Sequence, residues 1–191
     1  MINASKHTSK DAAFYIWYAT SKIADVLNGI DGAGLEVRSF IYWYKVKSPL
    51  SAFMSQYIPN YEPLLYCFKT GNSPKWYGDN NEKCIWEQQT LLKNRVHPTQ
   101  KPVELAARAI NNSSQQNGIV LDLFGGSGST LIAAEQLDRI CYMMELDEKY
   151  ADVIVNRYMA FKESDADIIL VRDGIETPYQ DIVKESKIES I

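Results

Sequence analysis

The chain has 191 residues and a mass of 21.7 kDa, enough for one domain with a real core, or one domain with an insertion, and too little for two full domains. Hydrophobic residues make up 46% and charged residues 23%, with 10 Gly and 7 Pro, which excludes disordered, collagenous and low-complexity classes. The formal charge of −4 hides an asymmetry, because residues 38–108 carry ten Lys/Arg against five Asp/Glu while residues 109–191 carry seven against fifteen.

In chain order, the apolar run from Ala12 to Ala19 predicts a buried strand, read as central and parallel. Ile23, Val26 and Leu27 lie at helical spacing in 20–28, and Gly29, Gly32 and Gly34 end that helix before a strand over 37–45. From Val46 to Val96 the pattern breaks around Pro49, Pro59, Pro63, Gly71 and Pro74, and 76–86 resembles a hairpin over Gly78-Asp79-Asn80-Asn81. This segment is expected to be a small β-rich insertion. Pro102 suits the first turn of a helix with Val103, Ala106, Ala107 and Ile110 on one face. A strand over 119–123, a glycine turn over 124–129, a helix over 130–137 and a strand over 140–144 follow, then a longer helix striped by Tyr150, Val153, Ile154, Tyr158 and Phe161. A last strand is expected over 168–171, with a fraying polar tail from Asp173. Alternating strands and helices predict an α/β sheet with helices on both faces.

No apolar run reaches the roughly 18 residues of a membrane span, and the polar segment from Met1 to Lys10 does not lead into a signal core. A cytoplasmic protein is expected. Cys67, Cys84 and Cys141 are odd in number and form no CxxC pair, so they read as reduced thiols, with no disulfide framework and no metal site. The basic middle is rich in aromatics, among them Trp43, Tyr66, Trp76, Tyr77 and Trp86. That mixture suits phosphate contacts and base stacking, and equally an aromatic core with a solvated face.

The strongest chemical signal is Asp122-Leu123-Phe124-Gly125-Gly126-Ser127-Gly128-Ser129-Thr130. Three glycines between a strand and a helix let backbone approach a ligand and present N–H groups at the helix N-terminus. The turn has no Gly-Lys-Ser/Thr, which excludes a Walker loop, and Leu131 stands where a dinucleotide fingerprint starting at Gly126 would need its third glycine. Glu145 ends the next strand, where an acid can accept from ribose hydroxyls in either an NAD or an S-adenosyl-L-methionine (SAM) site. A structural turn beside a surface acid is the plainer alternative.

His97-Pro98-Thr99-Gln100-Lys101-Pro102-Val103-Glu104-Leu105, the glycine turn and Glu145-Leu146-Asp147, together with Ile41-Tyr42-Trp43-Tyr44-Lys45 and Tyr61-Glu62-Pro63-Leu64-Leu65-Tyr66, carry a resemblance over nearly the whole chain. The chain resembles the amino-group DNA methyltransferases, which methylate adenine N6 or cytosine N4, in their β-class motif order and their phage-type members. The resemblance implies a Rossmann-like SAM-dependent methyltransferase sheet, with a catalytic-half remnant over 1–45, target recognition over 46–96, SAM binding over 97–172 and a polar tail over 173–191. It implies that Phe124, Gly125, Gly126, Ser127, Gly128 and Ser129 wrap the methionine part of SAM, with Asp122 near its amino group and Glu145 on the ribose. Thr99 and Lys101 would close over the methionine carboxylate, while His97 reads as a turn residue. The candidate DNA contacts are Lys45, Lys47, Lys69, Lys75, Trp76 and Tyr77, the partner being duplex DNA with its target base flipped out.

The family's Asp/Asn/Ser-Pro-Pro-aromatic tetrapeptide, which accepts from the target amino group and stacks on the base, has no counterpart here. The sequence contains no Pro-Pro, and Thr177-Pro178-Tyr179 is the nearest look-alike. By the resemblance, the strand carrying that motif would precede the one at Phe14–Tyr18 and sit centrally, so the sheet is expected to be incomplete at its N-terminal side. A split or degenerate product, a homodimer or a complementing chain, or a non-catalytic SAM- or DNA-binding remnant are the alternatives to an active enzyme. A cytosine C5 methyltransferase is excluded, because none of the three cysteines follows a proline.

Overall fold

The computed structural model describes residues 1–46, 57–90 and 100–188. Its first strand, β1 (Ala13–Trp17), follows a short helix α1 (Ile2–Lys6) and leads through a 3₁₀ turn (Thr20–Lys22) into α2 (Ile23–Gly32). Next come β2 (Leu35–Lys45), β3 (Tyr61–Lys69) and β4 (Ile85–Gln88). These four strands form one sheet in the order β1-β3-β2-β4.

Why β1 is apolar throughout is plain from its two faces. Ala13, Tyr15 and Trp17 pack on a cluster built from Trp43, Leu64, Tyr66 and Trp86, while Phe14 and Ile16 pack on the opposite cluster of Ile30, Leu35, Leu65 and Cys67. The expectation that β1 is a central parallel strand is corrected: its partner among the described residues is β3, and they run antiparallel. A strand covered on both faces reads as a continuous apolar run whichever way its neighbour points.

The described part of 46–96 is likewise not set apart as an insertion. β3 is an inner strand, bonded antiparallel to both β1 and β2. The expected 76–86 hairpin is absent: β4 pairs parallel with β2, drawn there by Trp86, only 1% exposed beneath the sheet.

α3 (Val103–Ser113) joins this sheet to the second half, with Pro102 as its N-cap rather than its first residue. Leu105 and Ala109, four residues apart, face the aromatic cluster. Val103, Ala106, Ala107 and Ile110 face Ala133, Ala134, Val120 and Cys141, as their spacing predicts. That second half comprises β5 (Ile119–Asp122), α4 (Ser129–Gln136), β6 (Ile140–Met143) and α5 (Glu148–Lys162). β5 and β6 are parallel, and α2 and α3 cover opposite faces of the four-stranded sheet through alternate residues of β3. The described C-terminal residues form regular elements where a fraying polar tail is expected. β7 (Ile169–Arg172) and β8 (Ile175–Pro178) form an antiparallel hairpin, followed by α6 (Tyr179–Ile188). Asp173 and Gly174 turn it at φ 53° and 78°, the Asp-Gly geometry that matches strand twist.

Candidate functional site

In a parallel α/β arrangement ligands bind beyond the carboxyl ends of the strands, and here those ends carry the glycine turn and Glu145. Asp122, the last residue of β5, accepts from Phe124 N–H at 3.0 Å and so shapes the start of the turn. Gly126 and Gly128 adopt φ 54° and 78°, the left-handed region that costs other residues roughly 1–2 kcal/mol. Gly125 is required for a different reason, because a Cβ there would stand 2.7 Å from Met143 Sδ. Gly125 N–H donates to Met144 O at 2.8 Å and Gly126 N–H to Glu145 Oε2 at 2.6 Å. The other oxygen, Glu145 Oε1, accepts from Leu146 and Asp147 N–H at 2.9 and 3.0 Å. The acid is thereby held against the turn; Phe124, which opens the turn, is 88% exposed and Leu146, which follows the acid, 101%.

One residue that sequence reasoning missed braces this loop. Arg157, on α5, donates to Ser127 O, Ser127 Oγ and Ser129 Oγ at 2.9, 3.2 and 3.1 Å. A lone arginine in an amphipathic helix gives no periodic signal, since its partners lie 28 to 30 residues away. Arg157→Met is expected to loosen the turn and lower affinity for its ligand about tenfold, the effect of one charge-assisted hydrogen bond, as measured by ligand titration; unchanged affinity would deny the brace.

Ser129 Oγ also donates to Lys101 O at 2.8 Å, tying the segment before α3 to the turn. The Lys101 side chain goes elsewhere than expected: its Nζ lies 3.3 Å from Glu62 Oε2 and 4.8 Å from the centre of the Trp17 ring. Lys45 Nζ meets Glu62 Oε1 at 2.8 Å. Burial alone would raise the Glu62 carboxyl, but the hydrogen bond from Lys45 and the charges of Lys101 and Lys45 outweigh it and hold it below its ordinary 4.5. A carboxyl depressed in the folded state stabilises above its unfolded value and loses that contribution as pH falls through the folded one. Glu62→Gln is therefore expected to cost about 1 kcal/mol or less near neutrality, the pair being partly solvated. Melting curves of parent and variant should converge at pH well below 4.5, and a constant difference would contradict this assignment.

The candidate DNA contacts are not gathered into one patch. β2 and β3 are antiparallel with Leu35 opposite Lys69, so Lys45 and Lys69 stand at opposite ends of the sheet, about 30 Å apart at strand rise. Lys45 shares the end of Lys101 and the glycine turn. At the far end Lys69 Nζ donates to Thr8 O at 2.6 Å and Lys75 pairs with Asp11 at 2.9 Å. Trp76 Nε1 donates to Asp79 O at 3.3 Å, while Tyr77 is 41% exposed. Lys47, His97 and Thr99 lie outside the described residues. All three cysteines are free thiols, and burial pushes Cys67 up to about 12 and Cys141 up to about 11, so neither is a thiolate nucleophile near neutrality.

The N6/N4 methyltransferase family model, described as DNA methylase, matches residues 1–156. The chain belongs to this family. That match runs from α1 into α5 and takes in both the four-stranded sheet and the glycine turn. Among curated relatives, the Type II methyltransferase M2.MboI of Moraxella bovis is 28% identical over 136 residues, 64% of this chain and 50% of the relative. The Type II methyltransferase M.HinfI of Haemophilus influenzae is 27% identical over 156 residues, 72% of this chain and 44% of the relative. The chain thus spans about half the length of these relatives. The crystal structure of the M1.HpyAVI–SAM complex superposes with a TM-score of 0.71 at 25% identity, covering 82% of this chain and 79% of that one. The cytosine-N4-specific PvuII DNA methyltransferase gives a TM-score of 0.69 at 18% identity over 86% and 68% of the two chains. The fold is accordingly the Rossmann-like α/β fold of SAM-dependent DNA methyltransferases.

Proposed function

We propose that the chain binds SAM at the turn between β5 and α4 and acts as a site-specific DNA methyltransferase on adenine N6 or cytosine N4 of a flipped base in duplex DNA. The observation that carries this reading is the pairing of Glu145 with Gly126 at the ends of two parallel strands. The residues present fit the cofactor. Gly126 leaves open space where a Cβ would stand, only Phe124 O lying within 4 Å of it at 3.9 Å, a carboxylate stands where ribose hydroxyls need an acceptor, and exposed Phe124 and Leu146 offer apolar surface. When bound, SAM supplies a methyl group on a sulfonium sulfur. Asp122 would lie near its amino group, Phe124 to Ser129 would wrap the methionine part, and Thr99 would join them from the segment before α3. Lys101 would contribute there through its main chain, which meets Ser129.

What the protein adds is placement, because the exocyclic amine of a base is a poor nucleophile whose lone pair is delocalised into the ring. No residue of the chain is assigned to accept from that amine. Thr177-Pro178-Tyr179 lies where β8 passes into α6. The Type II names of the relatives support a restriction-modification setting, and free thiols suit a reducing, cytoplasmic one. Pairing with a second copy or a complementing chain belongs to the same reading, and a sedimenting species heavier than 21.7 kDa would support it.

The test is incubation with methyl-labelled SAM and unmethylated duplex DNA, followed by digestion and mass spectrometry. Label in N6-methyladenine or N4-methylcytosine is the expected result and names the target base. SAM binding with no label in DNA would contradict transfer by this chain, and label in RNA in preference to DNA would contradict the substrate.

A further inference from the structure

Glu62, near the start of β3, divides its carboxylate between two lysines from different elements: Oε1 meets Lys45 at the end of β2, and Oε2 meets Lys101 just before α3. The lysine side chains are only 21% and 26% exposed, so this is not an open surface pair. Each ammonium also stands over a tryptophan ring, Lys101 over Trp17 and Lys45 over Trp43, and the two rings meet edge to face with centres 6.3 Å apart. The head of Lys101 is thereby held from the side of the first sheet. Its main chain is held from the other side, where the carbonyl oxygen accepts from Ser129 Oγ, the same hydroxyl oxygen that accepts from Arg157. Fully buried Pro102 comes next, and a proline keeps the residue before it out of the helical region. Little backbone freedom separates the two anchorages.

We propose that Glu62 is a positioning residue for the cofactor turn: by holding the side chain of Lys101 it fixes the Lys101 carbonyl against Ser129 and, through Ser129 and Arg157, the backbone of the turn. The carboxylate acts through Lys101 and touches no residue of the turn itself. Its removal leaves a flexible four-carbon stem with the Trp17 face to hold its ammonium, and the carbonyl two bonds from that stem's root loses its fixed direction. The two sheets, packed on different faces of α3, are by this link also joined at their ligand end. The inference rests on the SAM reading for the identity of the ligand and on the contacts above for its geometry.

The test combines hydrogen–deuterium exchange of the whole free chain with calorimetric titration of SAM. The variants are Glu62→Gln, Lys101→Met, the two together, Lys101→Arg, and Arg108→Met as the control, which removes a half-buried ion pair that also stands over a tryptophan, further along α3. Glu62→Gln and Lys101→Met are each expected to speed exchange in the peptide over 124–129 by about threefold or more. The double variant should lose no more than either single one, because both remove the same link. Lys101→Arg keeps the charge and should restore the parent rate, while Arg108→Met should leave that peptide unchanged. The first two variants are also expected to weaken SAM by about three- to tenfold. Melting curves show that each variant remains folded. Parent exchange rates in folded Glu62→Gln or Lys101→Met, additive losses in the double variant, or equal acceleration in Arg108→Met would overturn the proposal. A parent chain that binds no SAM would overturn the cofactor reading instead, and the exchange rates of the free chain would still decide the role of Glu62.

Discussion

Replacing Glu145 with alanine is expected to weaken SAM binding about a hundredfold. In the proposed site the carboxylate would accept from a ribose hydroxyl while keeping its backbone N–H bonds, and charge-assisted hydrogen bonds contribute about 1.5–3 kcal/mol each. A combined loss of about 3 kcal/mol corresponds to roughly two decades in Kd. The substitution acts twice, since the same carboxylate accepts from Gly126, Leu146 and Asp147 N–H and so holds the turn against β6. Glu145→Gln keeps the reach and one acceptor oxygen, and is expected to fall between parent and alanine variant. Calorimetry with SAM checks both, with Asp122→Ala as a companion. Equal affinity in parent and Glu145→Ala would remove the acid from the site.

A second large effect concerns stability. Leu65 is fully buried on β3 and packs with Ile30, Leu35 and Cys67 beneath α2, while its strand is bonded on both sides. Leu65→Ala should cost about 3 kcal/mol, the combined loss of transfer free energy and of packing around the cavity. That is a large share of the roughly 5–15 kcal/mol that holds a domain folded. Leu121→Ala makes the contrast: at 41% exposure on β5, it should cost about 0.5 kcal/mol. Urea unfolding of the two variants measures the difference, and similar midpoints would contradict the placement of the core on β3.

The run from α3 to α5 was legible because each signal is local. Glycines punctuate it, short apolar runs mark β5 and β6, and the Val103, Ala106, Ala107 and Ile110 spacing places one face of α3 where the structure has it. β3 was hidden within a segment broken by prolines, and Pro63 falls inside the strand itself. Its status as an inner strand depends on pairing with residues as far away as Ala13, the partner of Phe68, which no short window of sequence contains. The direction of β1 was illegible for a physical reason, since burial on both faces produces the same apolar run in parallel and antiparallel sheets. The β7–β8 hairpin is different. Its Asp173-Gly174 turn is a recognisable signal, but the flanking residues are largely exposed and look like a solvated tail.

At the site, the types and spacing of the turn residues could be read directly, and so could the acid at the end of the next strand. Arg157 could not, because helix α5 brings it to Ser127 and Ser129 only in the folded chain. Counting lysines likewise could not reveal that antiparallel strands send Lys45 and Lys69 to opposite ends, or that Glu62 occupies both Lys45 and Lys101.

The most direct test of the cofactor reading is photolabelling of the whole chain with methyl-tritiated SAM, followed by peptide mapping. The label is predicted in peptides spanning Asp122–Ser129 and Glu145–Asp147, and competition by unlabelled SAM but not by NAD should remove it. Label confined to other segments, or displacement by NAD at the same concentration, would contradict a SAM site at the ends of β5 and β6.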